Sequence, residues 1–390
     1  MSHAVRRFRH DVADRPFLVI WEAPRACPLV CRHCRATAVA HRDPAELDTA
    51  AAVELMRQVA TFGRPAPLFV ITGGDPFQRP DLTTLVRRGT ELGLRVAVSP
   101  SGTPTLTRDN LAAVHEAGAT AVSLSLDGAT RASHDGFRGV PGVFDLTLDA
   151  WRACQELGLK VQINTSVTAT NLTELADLAA LVHARGAQLW SLFVLVPTGR
   201  GRAMARLSAP EVEDVLHFAH DVGALLPTKT TEAPHFRRVA IQRAAMAEGR
   251  DPEVDLGLGP LYRLLRDRME TLGLTASRRV RRPPLDVNAG RGFVFVSHTG
   301  EVHPSGFLPL SAGNVRQRAL PDIYRYSPLF QRLRDPDALT GRCGRCEFRT
   351  LCGGSRSRAY ALTGDPLAEE PWCVYRPGGF RRPVGSTVTP

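Results

Sequence analysis

The chain has 390 residues, 43% of them hydrophobic and 23% charged, enough for a large α/β domain with an appendage and incompatible with a mostly disordered protein. Lys and Arg number 49 against 39 Asp and Glu, a net charge of +10 that is nearly all arginine. This suits an anionic ligand or acidic partner, but no long basic run interleaved with aromatics occurs, so nucleic acid is not an expected partner. No apolar stretch of about 18 residues predicts a membrane span, and the charged start of the chain lacks the apolar core of a secretory signal. The expected location is the cytoplasm, where clustered cysteines more often bind metal or do redox chemistry than form disulfides.

Residues 1–15 read as a basic arm. Phe17–Trp21 predicts a buried strand running into Cys27, Cys31 and Cys34. Glu46–Phe62 predicts a helix with Leu47, Val53, Leu55, Met56 and Val59 on its apolar face. The strand Leu68–Ile71 stops at Thr72-Gly73-Gly74-Asp75-Pro76, and Asp81 is the expected cap of a helix reaching Leu92. Strand Leu94–Ser99, helix Arg108–Ala117 and strand Ala121–Leu126 follow. Next come helix Val143–Leu157, strand Leu159–Val167, helix Asn171–Ala184 capped by Asn171, and strand Leu189–Val196.

Six near-continuously apolar strands alternating with helices predict an α/β fold. The sheet should be parallel, covered by helices and curled by right-handed crossovers. Six units fall short of the eight of a closed barrel, so residues 16–204 read as a partial (β/α)6 barrel with functional loops at the C-terminal strand ends. Residues 205–285 read as a helical connector. Residues 286–390 read as a small turn-rich domain opened by a hairpin, Gly292–Val296 with Glu301–His303, and held by metal more than by a core.

Cys27, Cys31 and Cys34 follow a CxxxCxxC spacing. They offer three thiolates to a cubane cluster for which four cysteines are the ordinary set, leaving one position open. A zinc ion completed by His33 or His41 is the alternative. Cys343, Cys346, Cys352 and Cys373 form a complete set, sufficient for a cluster or a zinc ribbon, and Gly353-Gly354 lets backbone amides point at sulfur. Cys154, in a helical pattern with Trp151 and Leu157, reads as a structural thiol.

A CxxxCxxC loop after the first strand of a β/α chain resembles the radical S-adenosylmethionine (SAM) enzymes. The resemblance implies a [4Fe–4S] cluster on Cys27, Cys31 and Cys34 whose open iron binds the amino and carboxylate groups of SAM. Reductive cleavage of SAM would then give methionine and a 5′-deoxyadenosyl radical that abstracts hydrogen from substrate, with an electron donor such as flavodoxin or ferredoxin. His33 occupies the position where the family has an aromatic residue near the adenine. Gly73, Gly74 and Asp75 are similar to the segment that binds the methionine ammonium. Ser125 and Arg138 resemble contacts to the SAM carboxylate or ribose, and Asn164 is a further candidate.

The C-terminal segment resembles the SPASM and twitch extensions that carry auxiliary clusters. His303-Pro304-Ser305 stands where full SPASM domains tend to have Pro-Cys, so one auxiliary [4Fe–4S] cluster is expected on Cys343, Cys346, Cys352 and Cys373, making two clusters in all. CGGSRSRAYA…GDP…C is most similar to the branch that modifies tetrapyrroles in the alternative haem and haem d1 pathways, which implies hydrogen abstraction from a propionate. His298 and His303 are candidates for binding a substrate carboxylate or a metal, and Arg279, Arg281, Arg282 and Arg291 for pairing with propionates. Two other readings stay open: a radical SAM maturase of a ribosomal peptide, and a non-catalytic zinc- or cluster-binding scaffold.

Overall fold

The computed structural model describes residues 4–246, 249–274 and 281–380, so Arg279 lies outside the described residues. A nine-stranded sheet runs through the molecule. The strands β1 (Leu18–Glu22), β2 (Leu68–Thr72), β3 (Arg95–Val98), β4 (Ala121–Ser125), β5 (Lys160–Val167), β6 (Leu189–Val194) and β7 (Thr228–Thr231) lie side by side in chain order, each parallel to the next. β8 (Phe293–Val296) joins the other edge of β1 in parallel, and β9 (Val302–His303) folds back antiparallel on β8. The predicted hairpin therefore extends the barrel sheet.

Helices α1 (Thr49–Ala60), α2 (Leu82–Glu91), α3 (Arg108–Glu116), α4 (Arg131–Arg138), α5 (Val143–Glu156), α6 (Leu175–Ala184) and α7 (Ala209–Val222) fill the crossovers. α8 (Phe236–Ala245), α9 (Pro252–Leu256) and α10 (Pro260–Thr271) follow β7. α11 (Leu320–Tyr326), α12 (Pro328–Arg334), α13 (Gly341–Arg345) and α14 (Arg356–Thr363) follow the hairpin. The result is the expected partial α/β barrel. No helix among the described residues is long and apolar enough to cross a membrane.

Several local expectations are corrected. The 205–285 stretch contributes a strand, β7, whose sequence Thr-Lys-Thr-Thr has no apolar run because it edges the sheet. The strands are not continuously apolar. In β5, Val161, Ile163 and Val167 pack into the core, while Asn164 and Ser166 line a cavity on the concave side. Asp81 makes no cap bond; its carboxylate is taken by Arg79 at 2.7 and 3.0 Å and by Thr49 at 2.7 Å. Asn171 does stand at the N-cap of the turn Leu172–Glu174 that leads into α6, but its side chain makes no cap bond: its amide donates to the carbonyls of Asp127 and Ser166 at 2.8 Å each, bracing two strand-end loops.

The C-terminal segment is docked to the barrel by buried polar groups. Arg358 of α14 is fully buried, pairs with Glu370 at 3.0 Å and donates to the carbonyls of Val194 and Leu195 at the end of β6 and of Glu232 after β7. Glu232, held at a left-handed φ of 55°, accepts from Ser305 at 2.7 Å, Ser355 at 2.5 Å and Ser357 at 2.9 Å. Removing one partner of a buried pair strands the other charge, at about 3–5 kcal/mol. Arg358→Ala is therefore expected to lower unfolding free energy by that amount in anaerobic urea titrations. A loss no larger than the roughly 1 kcal/mol of an exposed pair would contradict this docking role.

Candidate active site and a second cysteine cavity

The first cysteine loop is seated by backbone contacts. The amides of Gly74 and Asp75 donate to the carbonyls of Pro24 and Ala26 at 2.7 and 2.8 Å, so the loop after β2 lies flat on the chain that enters Cys27. A side chain at Gly73 or Gly74 would place its Cβ 2.4 Å from the Pro24 or Ala26 carbonyl oxygen. At the far end, Gly199 adopts a left-handed φ of 53°, a Cβ there would lie 2.4 Å from the Cys34 carbonyl oxygen, and the Arg200 amide donates to that oxygen at 3.0 Å. Between them, the Arg32 amide donates to the Phe137 carbonyl of α4 at 3.1 Å, and Arg138 Nη1 donates to Cys31 Sγ at 3.7 Å.

These contacts frame a cavity of about 210 Å³ at the strand ends. Cys27, Cys31, Cys34, His33, Gly73, Gly74, Ser125, Arg138 and Asn164 all line it. Asp75 does not. It is fully buried, and its carboxylate accepts from Thr103 at 2.7 Å, Thr105 at 3.1 Å and the amides of Phe77 and Ser101 at 3.3 and 3.4 Å. Asp75 thus braces the β2 and β3 loops, and this segment presents Gly73 and Gly74 to the cavity.

His33 stacks on Phe137 with centroids 4.6 Å apart. Burial pushes its pKa down to about 4, which keeps the ring neutral at neutral pH. Arg138 is buried against Asp127, whose second oxygen accepts from the Ser166 amide at 2.6 Å. Burial would discharge Arg138, but Asp127 outweighs it and holds the guanidinium charged beside Cys31.

Sequence reasoning missed two arginines at this cavity. Arg35 pairs with Glu22 at 2.8 Å and lies over the Phe295 ring at 4.4 Å. Arg200 has Nε and Nη2 buried without a partner. Its sequence signal is Thr-Gly-Arg-Gly-Arg, in the loop after β6. Of the histidines and arginines expected at the substrate side, His298, His303, Arg281, Arg282 and Arg291 do not line this cavity. His298 lies between Glu22 at 3.1 Å and Asp43 at 3.3 Å, and His303 bonds the Leu310 carbonyl at 3.0 Å. Arg281 donates to the His220 carbonyl at 3.0 Å, Arg291 pairs with Asp286 at 2.8 Å, and Arg282 does not line this cavity.

Cys343, Cys346, Cys352 and Cys373 line one second cavity together with Gly353, Gly354 and His235. The Gly354 amide donates to Cys352 Sγ at 3.5 Å, the Glu370 amide to Cys343 Sγ at 3.3 Å, and Arg356 Nη2 to Cys343 Sγ at 3.8 Å. Burial pushes the Cys27 and Cys346 thiols up to about 11 and Cys352 up to about 12, shifts that a bound cation reverses. No group of three or more His, Cys, Asp or Glu side chains among the described residues is arranged around a single ion; the cysteines line cavities. Amide and guanidinium donors directed at sulfur fit thiolates of an iron–sulfur site. Cys154 sits in the apolar core with its thiol pushed up to about 12, as a structural cysteine should.

Overpacking of a tight contact costs about 1–3 kcal/mol. Gly74→Ala is expected to weaken binding of SAM, the ligand implied by the resemblance, about ten- to hundredfold. Anaerobic equilibrium dialysis of reconstituted protein measures this, and unchanged binding would contradict the proposed importance of the glycine seat.

The sequence pattern of the Radical SAM superfamily matches residues 21–182, from β1 into α6. The chain is 39% identical over 364 residues to a protein named AdoMet-dependent heme synthase from Oleidesulfovibrio alaskensis, covering 92% of this chain and 87% of that one. It is 30% identical over 397 residues to a pre-heme d1 synthase from Dinoroseobacter shibae, covering 96% and 91%. Streptococcus suis SuiB bound to the precursor peptide SuiA has the same fold, with a TM-score of 0.67 over 93% of this chain and 76% of that one, at 16% identity. The identity to named family members runs well beyond the cysteine loop into the C-terminal segment. The chain therefore belongs to the radical SAM superfamily and is an enzyme that uses SAM and a [4Fe–4S] cluster.

Proposed function

We propose that this enzyme removes a hydrogen atom from a propionate side chain of a tetrapyrrole and releases carbon dioxide. The observation that carries the proposal is the 39% identity, over 92% of the chain, to a protein named AdoMet-dependent heme synthase. Conversion of one propionate to a vinyl group gives up a hydrogen atom, carbon dioxide and one electron. The electron needs an acceptor, and a second [4Fe–4S] cluster on Cys343, Cys346, Cys352 and Cys373 fits that need. The Ser305–Glu232 hydrogen bond at the hairpin end supports one auxiliary cluster rather than two, since the serine stands where a further cysteine ligand would.

When bound and reduced, the first cluster supplies, with SAM, the 5′-deoxyadenosyl radical. The chain's own residues position its ligands. The Gly73-Gly74 backbone and the Arg138 cation, with Ser125 and Asn164 beside them on the same cavity, would hold the amino-acid and ribose groups of SAM. Neutral His33 offers a stacking surface. Arg200, with two free donors, takes a substrate carboxylate, and Phe193 and Phe307 supply apolar wall. A flavodoxin or ferredoxin would supply electrons, and the net charge of +10 suits an acidic donor. A cytoplasmic location would fit, since its reducing conditions keep the cysteines free of disulfides and able to hold clusters.

Reconstituted enzyme incubated anaerobically with SAM, a reductant and either iron-coproporphyrin or a sirohaem-derived tetrapyrrole is expected to release 5′-deoxyadenosine together with a decarboxylated product seen by mass spectrometry. No substrate-dependent product from either tetrapyrrole would overturn the proposal, and modification of a neighbouring encoded peptide would replace it with the maturase reading. A hydrogen bond to a charged group contributes about 1.5–3 kcal/mol. Arg200→Met is therefore expected to raise the KM for the tetrapyrrole about ten- to hundredfold at unchanged iron content. An unchanged KM would remove Arg200 from the site.

A further inference from the structure

His235 stands between β7 and α8 and is completely buried. It lines the cavity shared by Cys343, Cys346, Cys352 and Cys373, and neither Nδ1 nor Nε2 of its ring has a hydrogen-bond partner. Burial pushes its pKa down to about 4, so at neutral pH the imidazole is uncharged, with one N–H donor and one bare nitrogen.

The charged neighbours are already committed. Glu370 accepts from Arg358 at 3.0 Å and from the amides of Ser355 and Trp372 at 2.7 and 3.1 Å. Arg238 is held by Glu213 and Gln242 at 2.6 Å each, leaving its Nε as a second unpartnered donor beside the same cavity. An apolar side chain would fill the His235 position without stranding a polar group, and a buried donor left unmade is destabilising. No cysteine sulfur lies within hydrogen-bonding reach of either ring nitrogen, so an acceptor from the cavity would be a sulfur of the cluster itself.

We propose that His235 is a positioning residue that donates its ring N–H to a sulfur of the auxiliary cluster and raises the potential at which that cluster accepts an electron. The inference rests on the reading of this cavity as a cluster site. A hydrogen bond to sulfur favours the reduced cluster, which carries more negative charge, over the oxidised one. The auxiliary cluster thereby becomes the better acceptor for the electron released in decarboxylation.

The test compares anaerobically reconstituted wild type, His235→Phe and His235→Gln. Iron content, EPR-monitored redox titration and pulsed EPR on protein carrying isotopically labelled histidine are the readouts. All three proteins are expected to hold about eight irons per chain. In His235→Phe the auxiliary midpoint potential is expected to move to more negative values while that of the first cluster stays put. His235→Gln, which keeps an N–H donor, should recover part of the shift. Wild type should show a weak histidine-nitrogen coupling that His235→Phe lacks. An unmoved potential at full iron content, no histidine coupling in wild type, or a coupling strong enough for direct ligation would each overturn the proposal. Loss of iron from both variants would also overturn it, in favour of a ligand or packing role. A wild type holding only about four irons would sink the cluster reading itself, and the inference with it.

Discussion

The structure depends on one close contact between backbones, where the Gly73-Gly74 turn lies against the chain entering Cys27. The turn's amides bond Pro24 and Ala26, at distances that leave no room for a Cβ. The glycines are thus required by the protein's own packing before any ligand is considered. Gly199 repeats the arrangement at the other end, against Cys34. A loop that must leave one cluster position open has no fourth thiolate to close its shape. Backbone contacts from the loops after β2 and β6 and from α4 take over that task and hold the three-thiol loop from three sides.

The second cysteine cavity is held differently. Around it lie only small apolar clusters; Trp372 reaches into the barrel's core, and buried ionic and polar groups complete the join. Arg358 with Glu370, Arg238 with Glu213, and Arg237 donating to the carbonyls of Leu285, Val287 and Cys352 form a buried polar frame between β6, β7, α8 and α14. Such a frame tolerates little movement, because each displaced charge loses its partner in a low-dielectric setting. Both sites also bring a guanidinium to a sulfur, Arg138 to Cys31 and Arg356 to Cys343, which favours the negative charge that thiolate-bound clusters carry.

The barrel's six strand–helix repeats, the hairpin and both cysteine groups were legible because each has a local signal: apolar runs, turn residues or fixed spacing. What escaped lacked one. β7 is a polar edge strand, and α4 is an eight-residue helix whose sequence reads first as a motif. Asp75 was read through its likeness to an ammonium-binding segment, whereas Thr103 and Thr105, some thirty residues later, claim its carboxylate. His235 is conspicuous only through the partners it lacks, and Arg200, although its strand-end glycines give it a local signal, gains its meaning from the same lack, which depends on how distant segments pack. The arginines expected to meet substrate lie near one another in the chain, whereas those at the cavity, Arg35, Arg138 and Arg200, come from separate strand ends.

At the centre of the account is the pairing of an incomplete cysteine set, completed by SAM, with a separate complete one. The most direct test is the EPR spectrum of the dithionite-reduced protein recorded with and without SAM, for wild type and for the triple variant Cys27→Ala, Cys31→Ala, Cys34→Ala. The expected result is two reduced-cluster signals in wild type, of which SAM perturbs one, and loss of that responsive signal alone in the variant. A wild-type spectrum indifferent to SAM, or a SAM response that survives in the variant, would contradict it.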